Sequence, residues 1–288
     1  MKKVKTSFKN VAIALVAVLF FGLTACDTTK EEIIKTDVEL TETTTQEEVI
    51  DGYFEDVDAV SLEAFDIKGA EGGRMGRDTT RSFTRCATIT HDKDAKTIVI
   101  DFGEGCEGPG GKVRTGKINI TYTSRKYVPG AVWTFIPEDL TINDIAIEGV
   151  KTVTNVSESK DDYLSLNKVL AGGKATWPDG AFATRDSDKT VTWIREANPV
   201  NDEFHISGEA SGVNKEGLDY SMEILSKMIY KRKCRMEGVH IAVQGLKSFT
   251  KGEENILIDF GDGACDNEIT VTKDGESRVI DVTDHKRG

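Results

Sequence analysis

Acidic residues near the C-terminus have the chemistry of a metal site. Four carboxylates lie within ten residues of one another, at Asp259, Asp262, Asp266 and Glu268. A similar acidic set occurs earlier in the chain, at Asp101, Glu104 and Glu107. Hard cations such as Ca²⁺ prefer oxygen ligands of this kind, so a calcium site is one interpretation. The spacing is not that of an EF-hand, and ordinary acidic turns are the other interpretation.

Cysteines recur in two similar segments. Each segment joins an apolar run, Asp-Phe-Gly and a cysteine, as Ile98-Val-Ile-Asp-Phe-Gly-Glu-Gly-Cys106 and Ile256-Leu-Ile-Asp-Phe-Gly-Asp-Gly-Ala-Cys265. An earlier cysteine, Cys86 or Cys234, lies one hairpin upstream of each. Four cysteines allow three connectivities, and the repeat favours Cys86–Cys106 and Cys234–Cys265. Glycine permits positive φ, and the aspartate can accept hydrogen bonds from nearby backbone, so each segment predicts a tight turn.

Residue patterns typical of active sites give little support for catalysis. The four histidines, His91, His205, His240 and His285, form no His-Glu-x-x-His run, and no Gly-x-Ser-x-Gly sequence occurs. Carboxylates are so abundant that any chosen glycosidase pair would be arbitrary. The sequence therefore favours a protein without enzymatic activity. A carbohydrate-active or other hydrolase, with its site spread over several strands, is the alternative.

Three tryptophans are candidate contact residues for a partner. Trp133, Trp177 and Trp193 could stack on sugar rings. Large aromatic side chains more often supply buried area inside a domain. We therefore expect these residues to contact a glycan or a protein only where they are exposed.

The N-terminus predicts export. Lysines at positions 2, 3, 5 and 9 precede an apolar run from Val11 to Leu23, which is the pattern of a secretory signal. The sequence Leu23-Thr-Ala-Cys26 resembles the lipobox of bacterial lipoproteins. This resemblance implies that residues 1–25 are removed and that Cys26 carries the lipid, with the outer membrane as the expected location. The four other cysteines then predict disulfides in an oxidising compartment.

The chain is strongly acidic. It has 37 Lys and Arg against 49 Asp and Glu, a net charge of −12. Removal of residues 1–25 takes away four lysines and no acid, so the net charge becomes −16. Nucleic-acid binding needs clustered basic residues against phosphates, so nucleic acid is excluded as a partner. One short basic cluster, Lys231-Arg-Lys233 with Arg235, is expected to be a solvated strand end.

Three segments precede the main domain. Residues 26–45 are polar and rich in Thr and Glu, and they predict a flexible tether that reaches about 25 Å. Residues 46–66 predict one amphipathic helix that packs on its own domain. Its apolar residues recur at steps of three and four, at Val49, Ile50, Tyr53, Phe54, Val57, Val60, Ala64 and Phe65. Residues 67–81 predict a glycine-rich joint.

Residues 82–288 predict a single all-β domain. Ile118 and Ile120 alternate with polar residues, and Val239, Ile241 and Val243 alternate with His240 and Ala242. Turn signals recur about every ten residues along this segment. About a dozen strands exceed what an open twisted sheet usually holds. The predicted fold is an antiparallel meander curled into a sandwich or an open barrel, preceded by one short helix.

Parts of this domain resemble a group of uncharacterised Bacteroidota lipoproteins. The resemblance rests on segments such as Cys86–Thr90, Ile100–Tyr122 and Gly261–Asn267. It implies an exported lipoprotein of mostly β structure, with no activity attached. The run Asp259-Phe-Gly-Asp-Gly263 also resembles the core of PKD-type Ig-like modules. Together the features predict a cell-envelope protein that is held to the membrane by its N-terminal lipid. We expect it to act as a binding or structural module for an envelope protein or a glycan and to need no cofactor.

Overall fold

The described part of the chain covers most of the predicted β domain and the helix before it. The computed structural model describes residues 50–64, 83–108 and 111–282. The expected signal peptide, tether and glycine-rich joint lie outside these residues, and so do Cys26 and His285. Among the described residues, no helix has the length and apolar character needed to cross a membrane.

In the described part of the chain, thirteen antiparallel strands form one sheet, and their order in the sheet is their order in the sequence. The predicted meander is confirmed. The sheet does not close into a barrel, and the strands form a single sheet where a sandwich would have two. The strands are β1 Thr88–Asp92, β2 Thr97–Glu107, β3 Val113–Tyr122, β4 Val132–Ile142, β5 Ile145–Asn155, β6 Leu164–Thr176, β7 Phe182–Ile194, β8 Glu203–Val213, β9 Asp219–Lys231, β10 Gln244–Lys251, β11 Glu254–Asp262, β12 Glu268–Lys273 and β13 Glu276–Asp281.

One face of the sheet, here called the inner face, carries the core. Side chains alternate between the two faces of a strand, so Ile118 and Ile120 of β3 are buried while Lys117 and Asn119 are partly exposed on the outer face. The neighbouring strand continues this pattern, because Ile120 pairs with the buried Phe135 of β4. The period-two pattern of the sequence therefore identifies the buried face correctly.

A glycine permits an irregularity between β3 and β4. Gly116 has φ +76°, and a Cβ atom there would overlap the backbone oxygen of Asp139. The register between the two strands shifts at this point. As a result, Phe135 and Leu140 of β4 both reach the inner face although they are five positions apart.

Helix α1, residues 50–64, packs on the inner face of the sheet. Its apolar stripe joins the side chains of strands β2 to β7 in one buried cluster. Five residues of the stripe are at most 3 % exposed: Ile50, Phe54, Val57, Val60 and Ala64. The predicted helix thus packs on its own domain, with its described part at residues 50–64.

Two disulfides fasten the sheet at opposite ends of its strands. The first joins Cys86, just before β1, to Cys106 near the end of β2. The second joins Cys234 to Cys265, beyond the ends of β9 and β11. These are the two pairings that the sequence repeat favours. The end of the sheet that carries the second disulfide is called the α2 rim, after helix α2, Arg232–Met236, which lies there.

The segment between β9 and β10 differs from its predicted form. Residues 239–243 were predicted to be a strand, but they form an irregular connection, and the basic cluster before them forms α2. Val239 and Val243 instead pack around the buried Cys234, and the Val239 amide donates to the Cys234 carbonyl at 3.0 Å. Packing around the disulfide therefore determines the conformation of this segment, and the alternation of its apolar residues does not.

Candidate functional site

Two of the four acidic residues near the C-terminus accept hydrogen bonds that stabilise turns. The Oδ1 atom of Asp259 accepts a hydrogen bond from the Gly261 amide at 2.9 Å, and Asp266 Oδ1 accepts from the Glu268 amide at 3.2 Å. Asp101 makes the equivalent contact to Gly103 in the first cysteine segment, at 2.9 Å. In the described ranges, no group of three or more His, Cys, Asp or Glu residues could hold a metal ion. The structure thus supports the interpretation as acidic turns, and it does not bring Asp262 into a ligand set.

Trp133 is buried, so it does not meet the condition of exposure on which its expected contact role depends. Its side chain is 1 % exposed, because the alternation of β4 places it on the inner face. It pairs with Tyr122 of β3 and with Val153 of β5, and it belongs to the main core. Burial inside the domain explains this tryptophan.

Trp177 is half-buried where β6 turns into β7. Its ring packs against the main core, and the Lys215 ammonium lies 4.8 Å from the ring centroid. Lys215 also contacts Asp179 at 3.3 Å. The ring is therefore covered on the core side and by a cation, which leaves a small surface for a ligand.

Trp193 lies at the α2 rim in a group of side chains fixed by hydrogen bonds. Its indole Nε1 donates to Asp202 Oδ2 at 3.1 Å, and its ring stacks on Phe204 with centroids 6.0 Å apart. The Arg195 guanidinium lies 5.4 Å from the ring centroid. The buried Asp202 also contacts Arg232 at 3.7 Å. Trp193 is thus the predicted contact residue that best combines partial exposure with a fixed orientation.

A charged interface between α1 and the sheet is the most distinctive feature that sequence reasoning missed. Successive helix residues are about 100° apart around the axis, so acidic residues border the apolar stripe on both sides. Asp51 and Asp58 lie on one side, and Asp56 and Glu63 lie on the other. Each of the three aspartates contacts two basic side chains.

Asp56 holds the first pair of cations. Arg114 of β3 donates from Nε to Asp56 Oδ2 at 2.7 Å and from Nη2 to Oδ1 at 2.6 Å. Lys112 donates to Oδ1 at 3.3 Å. The Arg114 guanidinium also lies 5.9 Å from the ring centroid of Phe83, whose amide donates to Glu63 Oε2 at 2.7 Å. This side of α1 is therefore fixed to β3 and to the segment before β1.

Asp58 holds the second pair. The ammonium groups of Lys151 in β5 and Lys168 in β6 lie 2.8 and 2.9 Å from Asp58 Oδ2. Burial alone would raise the pKa of Asp58, but these two cations outweigh it and hold the pKa below its usual value. Burial would likewise lower the pKa of Lys168, yet the Asp58 charge keeps that pKa above its usual range. Asp58 and Lys168 are therefore both charged near neutral pH.

Asp51 holds the third pair, on β7. Lys189 donates to its two oxygens at 3.0 and 2.9 Å, and Arg185 lies 3.1 Å from Oδ1. Burial would raise the pKa of Asp51, but the charges of Lys189 and Arg185 hold it below its usual range. Arg185 also donates to the Tyr220 hydroxyl at 3.3 Å, which extends the network to β9.

The three aspartates together fix the position of α1 on the sheet. A buried charge without a partner is strongly destabilising, so any shift of the helix that separates these pairs is opposed. Apolar contacts alone would allow α1 to slide or rotate more freely, because they are not directional. We therefore assign this interface a structural role, in which it selects one docking geometry for the helix.

Comparison with known proteins adds no identification. No protein-family model, curated protein or solved structure matches this chain. The resemblance to Bacteroidota lipoproteins therefore stays a prediction that rests on the residues quoted for it.

Proposed function

We propose that this chain is an exported, lipid-anchored protein of the cell envelope that acts as a non-enzymatic binding or structural module. The lipobox-like sequence at Cys26 supports anchoring. The observation that carries the proposal is the pairing of all four other cysteines in two disulfides. Disulfides persist in oxidising compartments outside the cytoplasm, so the pairing fits an exported domain.

The architecture suits a scaffold that presents its connections to a partner. Recognition residues in proteins commonly lie on connections held by a rigid framework. Here a sheet with two disulfides and a helix fixed by ion pairs supplies the framework, and Trp193 with Phe204 is partly exposed at one end of it. We place the contact surface for an envelope protein or a glycan at the α2 rim.

Membrane fractionation of native cells tests the anchor. Wild-type protein is expected in the detergent phase with lipid on its N-terminal peptide, and Cys26→Ala is expected to be unprocessed or soluble. Cys86→Ser serves as the control, because it also removes a cysteine but leaves the lipobox intact. Wild-type protein in the aqueous phase with no lipid mass on Cys26 would contradict the proposal.

Substrate panels test the absence of catalysis. Residues 27–288 retain the whole compact unit Gln46–Gly288. This protein should fold with a strong β signal and show no turnover of glycoside, ester or peptide substrates. Robust turnover that is lost on His205→Ala, or on changing one carboxylate, would favour the hydrolase instead.

A further inference from the structure

We infer that α2 forms a contact site for anionic lipid headgroups. The site, here called the α2 knuckle, consists of Arg232, Lys233, Arg235 and Met236. This inference rests on the proposed function, because the lipid anchor is what keeps the domain near a membrane. It differs from the sequence-based expectation, which treated the basic cluster as a solvated strand end.

The knuckle presents three cations and one apolar side chain to solvent. The Arg232 side chain is 51 % exposed, and Lys233 and Arg235 are also exposed. Within the described residues, Lys233 and Arg235 form neither a side-chain hydrogen bond nor an ion pair. Met236 is 69 % exposed, the highest value among the large hydrophobic residues described. Cations beside a flexible apolar side chain suit a membrane surface, where anionic headgroups lie above the apolar acyl chains.

The backbone of the knuckle is fixed on both sides. Cys234, in the middle of α2, is 1 % exposed and is joined to Cys265. The Arg232 amide donates to the Asp202 carbonyl at 2.9 Å, and Lys231 donates to the Gly263 carbonyl at 2.8 Å. Because little backbone freedom remains to be lost on binding, the basic side chains meet a surface at low entropic cost.

The local charge differs in sign from that of the whole chain. The five residues of α2 include three cations and no acid, whereas the chain carries a net charge of −12. At physiological ionic strength, charges more than about 8 Å apart are largely screened at a surface. The exposed Glu237 directly follows α2 and lies within this distance, so residues 232–237 hold three cations and one acid, a net charge of 3 − 1 = +2. The cations therefore outnumber the acid where this part of the protein touches an anionic surface.

A membrane fits these features better than an acidic protein does. Each Lys or Arg near an anionic leaflet contributes about 1 kcal/mol, and an exposed apolar side chain gains further by entering the interface. Arg195 and the stacked Trp193 and Phe204 adjoin the knuckle through Asp202, and aromatic rings with polar neighbours suit the headgroup region. The tether predicted from the sequence at residues 26–45, with a reach of about 25 Å, would keep a membrane available to the knuckle.

Vesicle co-sedimentation tests the inference with lipid-free protein. Residues 27–288 lack both the signal segment and the lipid cysteine, so neither of these can account for binding. We expect binding to vesicles of equimolar phosphatidylglycerol and phosphatidylcholine, weaker binding at high salt, and none to phosphatidylcholine alone. Lys233→Glu with Arg235→Glu should lower the partition coefficient at least about 30-fold, from about 1 kcal/mol for each cation. Met236→Ser should lower it less.

A matched control separates the site from net charge. Lys160→Glu with Lys227→Glu makes the same charge change at exposed lysines elsewhere, and it should leave binding within about 2-fold of wild type, because screening isolates distant charges. An equal loss in this control would overturn the inference. An absence of wild-type binding to the anionic vesicles would also overturn it. Binding to a polyglutamate peptide but not to the vesicles would overturn it too, because it would show that the knuckle contacts an acidic protein. None of these outcomes alters detergent partitioning of the native lipoprotein or its inertness towards substrates, so the proposed function is tested separately.

Discussion

The carboxylate of Asp56 and the guanidinium of Arg114 form a two-point ion pair beneath α1. The two contacts measure 2.7 and 2.6 Å, and the Arg114 side chain is 1 % exposed. The planar guanidinium fork matches the two carboxylate oxygens, which fixes direction as well as distance. The pair joins residues 58 positions apart, so it fixes the helix to a strand that the local sequence does not specify.

Removing one partner of this pair should destabilise the domain strongly. Asp56→Asn leaves the buried Arg114 without a counter-charge, so we expect the free energy of unfolding to fall by about 3–5 kcal/mol. Urea unfolding measures the change. The exposed pair Lys117–Asp101 supplies the control, because Asp101→Asn should cost at most about 1 kcal/mol. The double change Asp56→Leu with Arg114→Met should be milder than Asp56→Asn alone, and a larger loss would contradict this account.

Acid should weaken the docking of α1. The pKa values of Asp51 and Asp58 are lowered in the folded protein, so their stabilising effect is complete above the unfolded pKa of about 3.9 and is lost as the pH falls below it. The free energy of unfolding should therefore decrease below about pH 4. Asp58→Asn should be less stable than wild type at pH 7 and should lose less stability on acidification. Identical slopes for the two proteins would show that Asp58 does not contribute.

Base should act on the same interface through a lysine. The pKa of Lys168 is raised in the folded protein, so its contribution is present below the unfolded pKa of about 10.4 and is lost as the pH rises through the folded value. Thermal unfolding of wild type should thus become easier well above pH 10. Lys168→Met removes the titrating group, and its stability should change less over this range. Equal alkaline losses in the two proteins would contradict the assignment.

The two disulfides should each stabilise the sheet. They close loops of 20 and 31 residues, for which chain entropy predicts about 3–4 kcal/mol each. Paired serine changes at Cys86 with Cys106, or at Cys234 with Cys265, should lower the urea midpoint accordingly. Peptide mapping without reductant checks the connectivity, and cross-linked peptides that join Cys86 to Cys234 or Cys265 would refute it.

Two glycines with similar φ angles separate steric overlap from backbone strain. Gly116 has φ +76° and Gly103 has φ +60°, but only at Gly116 would a Cβ atom meet another strand. Gly103→Ala should cost about 1–2 kcal/mol from its left-handed conformation alone. Gly116→Ala should cost clearly more, because the added methyl group overlaps the Asp139 backbone. Equal losses in chemical unfolding would show that the shifted register can relax.

Local patterns allowed much of the fold to be predicted. Alternation at Ile118 and Ile120 gave the strands their inner face, and repeated cysteine segments gave the disulfide pairing. Alternation failed at Val239–Val243, because a disulfide and a short helix override period two there. The sequence left Trp133 as a contact candidate on condition of exposure, and its alternation with Thr134, which places it on the same face as Phe135, could have predicted its burial.

The ion pairs beneath α1 were missed because each joins positions that are distant in the chain. A signal for them existed. Lys151 has the strand parity of the buried Val153, and Arg185 has that of the buried Ala183, so both cations could have been assigned to the inner face. The acidic residues on both borders of the apolar stripe of α1 supply the opposite charges for these cations. No local rule states which cation pairs with which acid, because that depends on where the helix lies.

The order of synthesis separates α1 from its partners in time. The strands of a meander can pair as soon as each neighbour emerges, since adjacent strands are adjacent in sequence. Asp51, in contrast, must wait for Lys189, which follows 138 residues later. At typical elongation rates this interval lasts on the order of 10 s. During biosynthesis the helix therefore precedes its binding surface, and it cannot dock completely before β7 has emerged.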